Sequence, residues 1–230
     1  MTICWINWPD TDKWTFPPPP HIPHVKDIVF HPTEDETIFA LVEQGGLFKS
    51  TDGGGSFTEF SAYSDAEELA YRDLHRFLIH PDKPDLCYLA AGEGLYRSDD
   101  GALTWDQLTR RGDRLGYPDF LFFDPDDEET VYMGGSYKNP TVWYEKGIAD
   151  SSILKTTDGG QSWTDLDNGL PKPVIDAFEA MAVHHWPQGM MLVIGTATGQ
   201  LYASENEGAS WSLIAGNVMP VSKDDHHLPF

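Results

Sequence analysis

The stretch KTTDGGQSW, residues 155–163, decides the fold of this chain because the sequence contains four versions of it. The other three are KSTDGGGSF from Lys49, RSDDGALTW from Arg97 and ASENEGASW from Ala203. Aligned on the central acid, or on the asparagine that replaces it, the four copies lie 48, 58 and 48 residues apart. A nearly regular period of this size predicts that a structural repeat is the unit of the fold.

Each copy combines a short polar side chain with glycine and an aromatic at fixed spacing. The polar and aromatic residues are Asp52 with Phe57, Asp100 with Trp105, Asp158 with Trp163, and Asn206 with Trp211. Such a polar side chain can accept hydrogen bonds from backbone N–H groups further along a tight turn, while glycine takes the positive φ positions. A catalytic acid is needed once, and Asn206 cannot act as one. We therefore predict that these motif residues are structural.

The same order of elements surrounds every copy. An apolar run ends at a proline-marked turn, two further apolar runs lead into the motif, and a short fourth run follows it. This order predicts four-stranded antiparallel meanders, over about residues 25–61, 74–109, 118–167 and 178–214. So small a sheet cannot bury its faces alone. We therefore predict that residues 1–230 form a single all-β domain in which the sheets stack as the blades of a β-propeller.

The two ends of the chain leave the number of blades open. Residues 1–24 and 215–230 together supply about 40 residues, which is enough for a further blade closed by strands from both termini. We predict five blades, with four blades or a part of a longer array as the alternatives.

The motif Ser/Thr-x-Asp-x-Gly-x-x-Trp/Phe resembles the Asp box of bacterial neuraminidase repeats. That family includes sialidases, some xyloglucanases, sortilin-type receptors and photosystem II assembly factors. The resemblance spans residues 25–214 and departs from the pattern at Ala102, where glycine is usual, and at Phe57, where tryptophan is usual. It implies a β-propeller, but it implies no single function because the family contains both hydrolases and binding proteins.

The third repeat carries an insertion that suits ligand binding. Its proline-to-motif distance is 33 residues against 19 or 20 in the others, and the extra residues fall in SYKNPTVWYEKGIAD, 136–150. Long loops on a rigid scaffold are favoured binding sites, and aromatic side chains stack on sugars or exposed side chains. We predict a ligand surface on the face opposite the motif turns, formed by Tyr71, Arg72, Arg114, Tyr137, Trp143, Tyr144, Glu145 and Asp176. The alternative is that Trp143 only fills a gap between blades.

The function predicted from these features is a non-catalytic scaffold that binds a protein or carbohydrate ligand. The alternative is a glycoside hydrolase with two carboxylates facing each other, for which the candidates are Asp119, Glu145, Asp176 and Glu179. Sialidase activity is disfavoured. By the resemblance it requires arginines from three separate blades, whereas all six arginines lie between Arg72 and Arg114.

Composition excludes other classes of function. With 37 acidic and 15 basic residues the formal net charge is −22, which disfavours nucleic acid and acidic membrane surfaces as partners. Cys4 and Cys87 make no disulfide framework, and no signal peptide or membrane span is recognisable, so we expect a cytoplasmic protein. No cofactor or metal site is predicted, and His31 and His80, each before a proline, are interpreted as turn residues. The oligomeric state stays open.

Overall fold

The computed structural model describes residues 14, 24–60, 73–187 and 189–221. Apart from one helix of seven residues, the regular structure in this part of the chain is all β, arranged as four four-stranded antiparallel sheets. The predicted all-β fold class is confirmed. We call the sheets blades 1 to 4 in chain order. The proposed closing blade falls mostly outside the described residues and stays a prediction.

The chain divides into two compact units, Met1–Leu108 and Thr109–Phe230. Unit 1 contains blade 1, with β1 (Val25–Phe30), β2 (Ile38–Val42), β3 (Gly46–Ser50) and β4 (Thr58–Glu59), and blade 2, with β5 (Leu74–Ile79), β6 (Cys87–Ala91), β7 (Gly94–Ser98) and β8 (Asp106–Gln107). In each blade the strands lie in sequence order. The two blades pack through aromatic side chains, and the ring centroids of Phe39 and Phe77 are 5.0 Å apart.

Unit 2 has the same plan. Blade 3 contains β9 (Tyr117–Phe123), β10 (Val131–Ser136), the helix α1 (Pro140–Lys146), β11 (Ser151–Thr156) and β12 (Thr164–Asp165), and blade 4 contains β13 (Phe178–Trp186), β14 (Gly189–Thr196), β15 (Leu201–Ser204) and β16 (Ser212–Ala215). Buried side chains of both blades, among them Tyr132 and Leu192, form one core. Within the described residues, no helix has the length and apolar character needed to span a membrane.

The repeated motif forms the turn between the third and fourth strands of each blade. In blade 3, Asp158 Oδ1 accepts hydrogen bonds from the Ser162 N–H at 2.9 Å and the Thr156 hydroxyl at 2.7 Å. The Thr156 hydroxyl in turn accepts from the Gly160 N–H at 2.9 Å. With the Ser162 hydroxyl as the largest cause, these donors lower the pKa of Asp158 from 3.8 to about 2. The carboxylate of the motif acid therefore bonds within its own turn.

The other three copies repeat this bonding. The pKa values of Asp52 and Asp100 are likewise lowered to about 2, chiefly by the hydroxyls of Ser56 and Thr104. Asn206 occupies the equivalent position. Its Nδ2 donates to Ser210 Oγ at 2.9 Å, whereas Asp158 accepts a hydrogen bond from the equivalent hydroxyl of Ser162. Asparagine thus preserves the turn without a charge.

The motif aromatic reaches beyond its own blade in unit 2. The Trp211 indole N–H donates to the carbonyl of Leu166 in blade 3 at 2.8 Å, and the Trp211 backbone N–H donates to the Asn168 carbonyl at 2.8 Å. Trp211 is only 4% exposed. This aromatic therefore joins successive blades.

Turn roles for the two histidines before prolines are confirmed. His31 Nδ1 accepts from the Glu34 N–H at 3.1 Å, and His80 Nδ1 accepts from the N–H groups of Asp82 and Lys83 at 3.2 and 3.1 Å. Both turns lie between the first and second strands of a blade, at the same end as the motif turns.

Candidate functional site

The first strand of every blade carries a β-bulge close to its start. The pairing register shifts at residues 25–27, 74–76, 118–120 and 178–180. The extra residues are Lys26, His75, Asp119 and Glu179. A bulge re-aims the side chain of the extra residue, and bulges are frequent beside active sites. We call this end of each blade, opposite its motif turn, the bulge end.

Charged side chains are buried at the bulge ends. Of the acids in the described residues, those classed as buried are Glu43, Glu93 and Asp119, with exposed fractions of 8, 8 and 5%. Glu43 and Glu93 lie in the turns after β2 and β6, and Asp119 is a bulge residue. Burial of a charge is costly unless the charge is paired or used. The bulge ends therefore contain the strongest candidates for functional carboxylates.

In blade 1 two basic side chains meet one carboxylate. Lys26 Nζ lies 3.4 Å from Glu43 Oε2, and His24 Nε2 lies 3.3 Å from the same oxygen. The Glu43 N–H donates to the His24 carbonyl at 3.3 Å, so the backbone fixes the base of the cluster. Trp14 packs against the same turn, because a Cβ added at Gly45 would lie 3.2 Å from its ring.

Blade 2 forms a similar pair from different positions. Asp73 occupies the place of His24, and His75 Nε2 lies 3.5 Å from Asp73 Oδ1. Gly92 stands where blade 1 has Glu43, and its N–H donates to the Asp73 carbonyl at 2.7 Å. A Cβ at Gly92 would lie only 2.7 Å from Asp73 Oδ2, so glycine makes room for the carboxylate. Both blades of unit 1 thus pair a basic bulge residue with an acid.

Unit 2 places acids rather than bases on its bulges. Asp119 has Tyr117 and Ser136 at the positions equivalent to His24 and Glu43. The half-buried Glu179 has Ala177 and Ala197 there, joined by a hydrogen bond from the Ala197 N–H to the Ala177 carbonyl at 3.0 Å. The bulge residue of blades 3 and 4 is therefore a carboxylate beside neutral residues.

The predicted binding insertion lies at the bulge end of blade 3 and contains α1. Asn139 caps the helix, Pro140 occupies its first turn, and Gly147 ends it with φ of 66°. Trp143 is half-buried, donates its indole N–H to the Lys138 carbonyl, and packs edge-on against Tyr117 with ring centroids 6.1 Å apart. Trp143 thus contacts its own blade.

Other predicted site residues surround this insertion. Arg114 donates from Nη1 to the Asp150 carbonyl at 3.0 Å, and its Nε lies 3.6 Å from Asp165 Oδ1. Asp176 accepts from the Thr198 N–H at 2.9 Å and from the Thr198 hydroxyl, which ties it to the turn after β14. Both side chains are therefore engaged in local structure.

The remaining predicted site residues differ in how far the structure describes them. Tyr137 is half-buried beneath Lys138 Nζ, which lies 5.3 Å from its ring centroid. Tyr144 falls within α1, and Glu145 is exposed. Tyr71 and Arg72 lie outside the described residues, so the complete set stays a prediction.

Sequence reasoning missed the carboxylates and bases of unit 1. Glu43, Glu93, Lys26 and His75 were not among the predicted site residues. A usable signal existed, because each first strand has an ionisable residue at the same place in VKD, LHR, PDF and FEA. The residue is basic in blades 1 and 2, acidic in blades 3 and 4 and different in all four, so a search for one repeated residue does not find it.

The comparisons with known proteins agree with this architecture. No family model matches the chain. The chain is 27% identical over 184 residues to a probable oligoxyloglucan-reducing end-specific xyloglucanase of Neosartorya fischeri, an alignment that covers 75% of this chain and 21% of that protein. The chain therefore spans about a fifth of the length of this curated relative.

Solved structures give the same fold. An ancestral GH74 enzyme matches with a TM-score of 0.66 at 17% identity, over 84% of this chain and 24% of that one. The protein YCF48, solved bound to D1 peptide, matches with a TM-score of 0.55 at 15% identity, over 82% of this chain and 54% of that one. With the four antiparallel sheets, these matches confirm the predicted β-propeller class.

Proposed function

We propose that this chain is part of a glycoside hydrolase propeller that acts on a xyloglucan-like polysaccharide, and that Glu43 is a carboxylate of its glycan site. The repeated motif is, on this proposal, the Asp box of that class of propeller. The observation that carries the proposal is that, in the part of the chain that the structure describes, the buried acids Glu43, Glu93 and Asp119 all lie at bulge ends. The similarity to a xyloglucanase over three quarters of the chain supports it.

The chemistry of glycoside hydrolysis gives these acids distinct roles. One carboxyl group protonates the leaving oxygen, and a second, ionised carboxylate activates water or attacks the sugar. Lys26 at 3.4 Å balances the charge of Glu43, which suits the ionised role. Glu93, a buried acid of the same unit, is the candidate for the protonating acid. This assignment replaces Glu145, which is exposed.

The test reads hydrolysis and binding separately on a xyloglucan oligosaccharide. We expect new reducing ends from the wild-type chain and at least a hundredfold slower release from Glu43→Gln, since a positioned acid or base contributes about 10²–10⁴ in rate. Binding of the oligosaccharide, measured by calorimetry, should change little in that variant. Glu207→Gln is the matched control, because Glu207 is an exposed acid within the motif turn of blade 4 and pairs with Lys155 at 2.8 Å. Equal rates for Glu43→Gln and the wild type would contradict the proposal.

A second candidate is the non-catalytic scaffold predicted from the sequence. The insertion with Trp143 favours it, because an aromatic held in α1 against Tyr117 is a stacking surface that requires no acid. Oligosaccharide binding without new reducing ends, lost in Trp143→Ala and retained in Glu43→Gln, would support this reading over hydrolysis. Binding of a peptide in place of a glycan would indicate that the ligand of the scaffold is a protein.

A further inference from the structure

We propose that Lys26 is a positioning residue that keeps Glu43 ionised and correctly aimed. The inference rests on the proposed function in taking Glu43 as the functional carboxylate. Its structural basis is the β-bulge of β1, which turns Lys26 out of the strand alternation and places Nζ 3.4 Å from Glu43 Oε2. The Lys26 side chain is only 2% exposed, so its charge acts on Glu43 with little screening by solvent.

The bulge itself does not require lysine. The equivalent bulges of blades 2, 3 and 4 carry His75, Asp119 and Glu179, so the backbone shape accepts side chains of either charge. A buried lysine is expensive, because removal of an ammonium from water is repaid only by a good partner. Its presence here is explained by the carboxylate of Glu43, 3.4 Å away.

The contact between Lys26 and Glu43 is longer than a strong hydrogen bond. A charge-assisted N–H···O bond is usually about 2.7–2.9 Å long, whereas the Lys26 to Glu43 distance is 3.4 Å and no hydrogen-bond acceptor for Nζ is found among the described residues. Lys26 therefore supplies charge without a tight hydrogen bond that would occupy the carboxylate.

The decisive measurement is the titration of the Glu43 side-chain carboxyl by ¹³C NMR in the full chain, with its signal assigned by its loss in Glu43→Gln. We expect Lys26→Met to raise the titration midpoint by about one pH unit or more, because a nearby cation favours the charged form. Lys26→Arg should restore it. His24 is the other titratable group at the same oxygen, and it is unchanged in both variants.

The control is Lys172→Met, which removes a lysine paired with Asp167 at 2.8 Å but 66% exposed, and which should leave the Glu43 midpoint unchanged. If Lys26 only fills space, Lys26→Met will leave the Glu43 midpoint unmoved, and that result would overturn the inference. Lys26→Gln serves if the Met variant does not fold. If neither folds while Lys26→Arg does, the charge serves folding, which also overturns a positioning role.

This readout separates the inference from the proposed function because it uses no substrate. A shifted midpoint together with unaltered hydrolysis in Glu43→Gln would keep the pairing and remove Glu43 from catalysis. An unmoved midpoint together with lost hydrolysis in Glu43→Gln would keep the proposed function and remove Lys26 from it.

Discussion

The two ends of each blade follow opposite rules. At the motif end, Ser50, Ser98, Thr156 and Ser204 each accept a hydrogen bond from the N–H four residues on, at 2.9 Å in every copy. At the bulge end, the equivalent positions hold a lysine, a histidine, an aspartate and a glutamate. The geometry of the turn requires a hydroxyl at the same position in every copy. The strand pairing does not require any particular residue at the bulge. Stability should therefore depend on the motif end, and ligand chemistry on the bulge end.

The strongest test of this comparison is Trp211→Ala at the motif end. Truncation of a buried tryptophan costs about 3–5 kcal/mol in unfolding free energy, and Trp211 also loses its bond to the Leu166 carbonyl in the neighbouring blade. Urea unfolding followed by circular dichroism would measure it. Phe57→Ala provides the matched control, since Phe57 is only half-buried and should cost less. Equal costs would show that the indole bond between blades contributes nothing.

A smaller loss is expected from Thr156→Val, which keeps the shape and removes the hydroxyl. The buried hydroxyl bonds Asp158 and the Gly160 N–H, and leaving such partners unsatisfied costs about 1–3 kcal/mol. The exposed Thr164, changed in the same way, should stay within about 0.5 kcal/mol of the wild type. The same denaturation experiment compares the two. A cost no larger than that of Thr164→Val would mean that the turn is held by its backbone alone.

Acid should weaken three motif turns and spare the fourth. The pKa values of Asp52, Asp100 and Asp158 are lowered from 3.8 to about 2 in the folded protein. Their contribution to stability is therefore complete above the unfolded pKa near 3.8 and is lost as the pH falls toward 2. Asn206 has no carboxyl group, so the turn of blade 4 lacks this dependence on pH. Replacement of all three acids by asparagine should flatten the fall in melting temperature between about pH 4 and pH 2, and an unchanged slope would place acid sensitivity elsewhere.

The same contrast explains what the sequence could predict. The meanders and motif turns are recognisable because the same sequence pattern occurs four times. A single departure such as Ala102 does not hide the pattern, and Ala102 adopts φ of 69° where the other copies have glycine. The α1 helix was missed although Asn139, Pro140 and Gly147 mark its ends, because one short helix within a loop has no periodicity to reveal it. The pair of Lys26 and Glu43 was missed because it depends on a bulge. A bulge arises from how two strands pair, and the sequence of one strand does not show it.

The smallest effect on stability is expected for Trp143→Ala, and it completes the comparison. Trp143 is half-buried and makes one edge contact with Tyr117, so its loss should cost about 1 kcal/mol, well below the cost for Trp211. If the insertion holds the ligand, affinity for a xyloglucan oligosaccharide should nevertheless fall about tenfold, which corresponds to about 1.4 kcal/mol. Calorimetry and urea unfolding on the same preparation measure both quantities. Glu145→Ala, in the same helix and exposed, separates a contact by the indole from a general disturbance of α1. A large loss of stability with unchanged binding would show that the bulge end of blade 3 serves stability rather than ligand binding, because Trp143 would then stabilise the fold as Trp211 does.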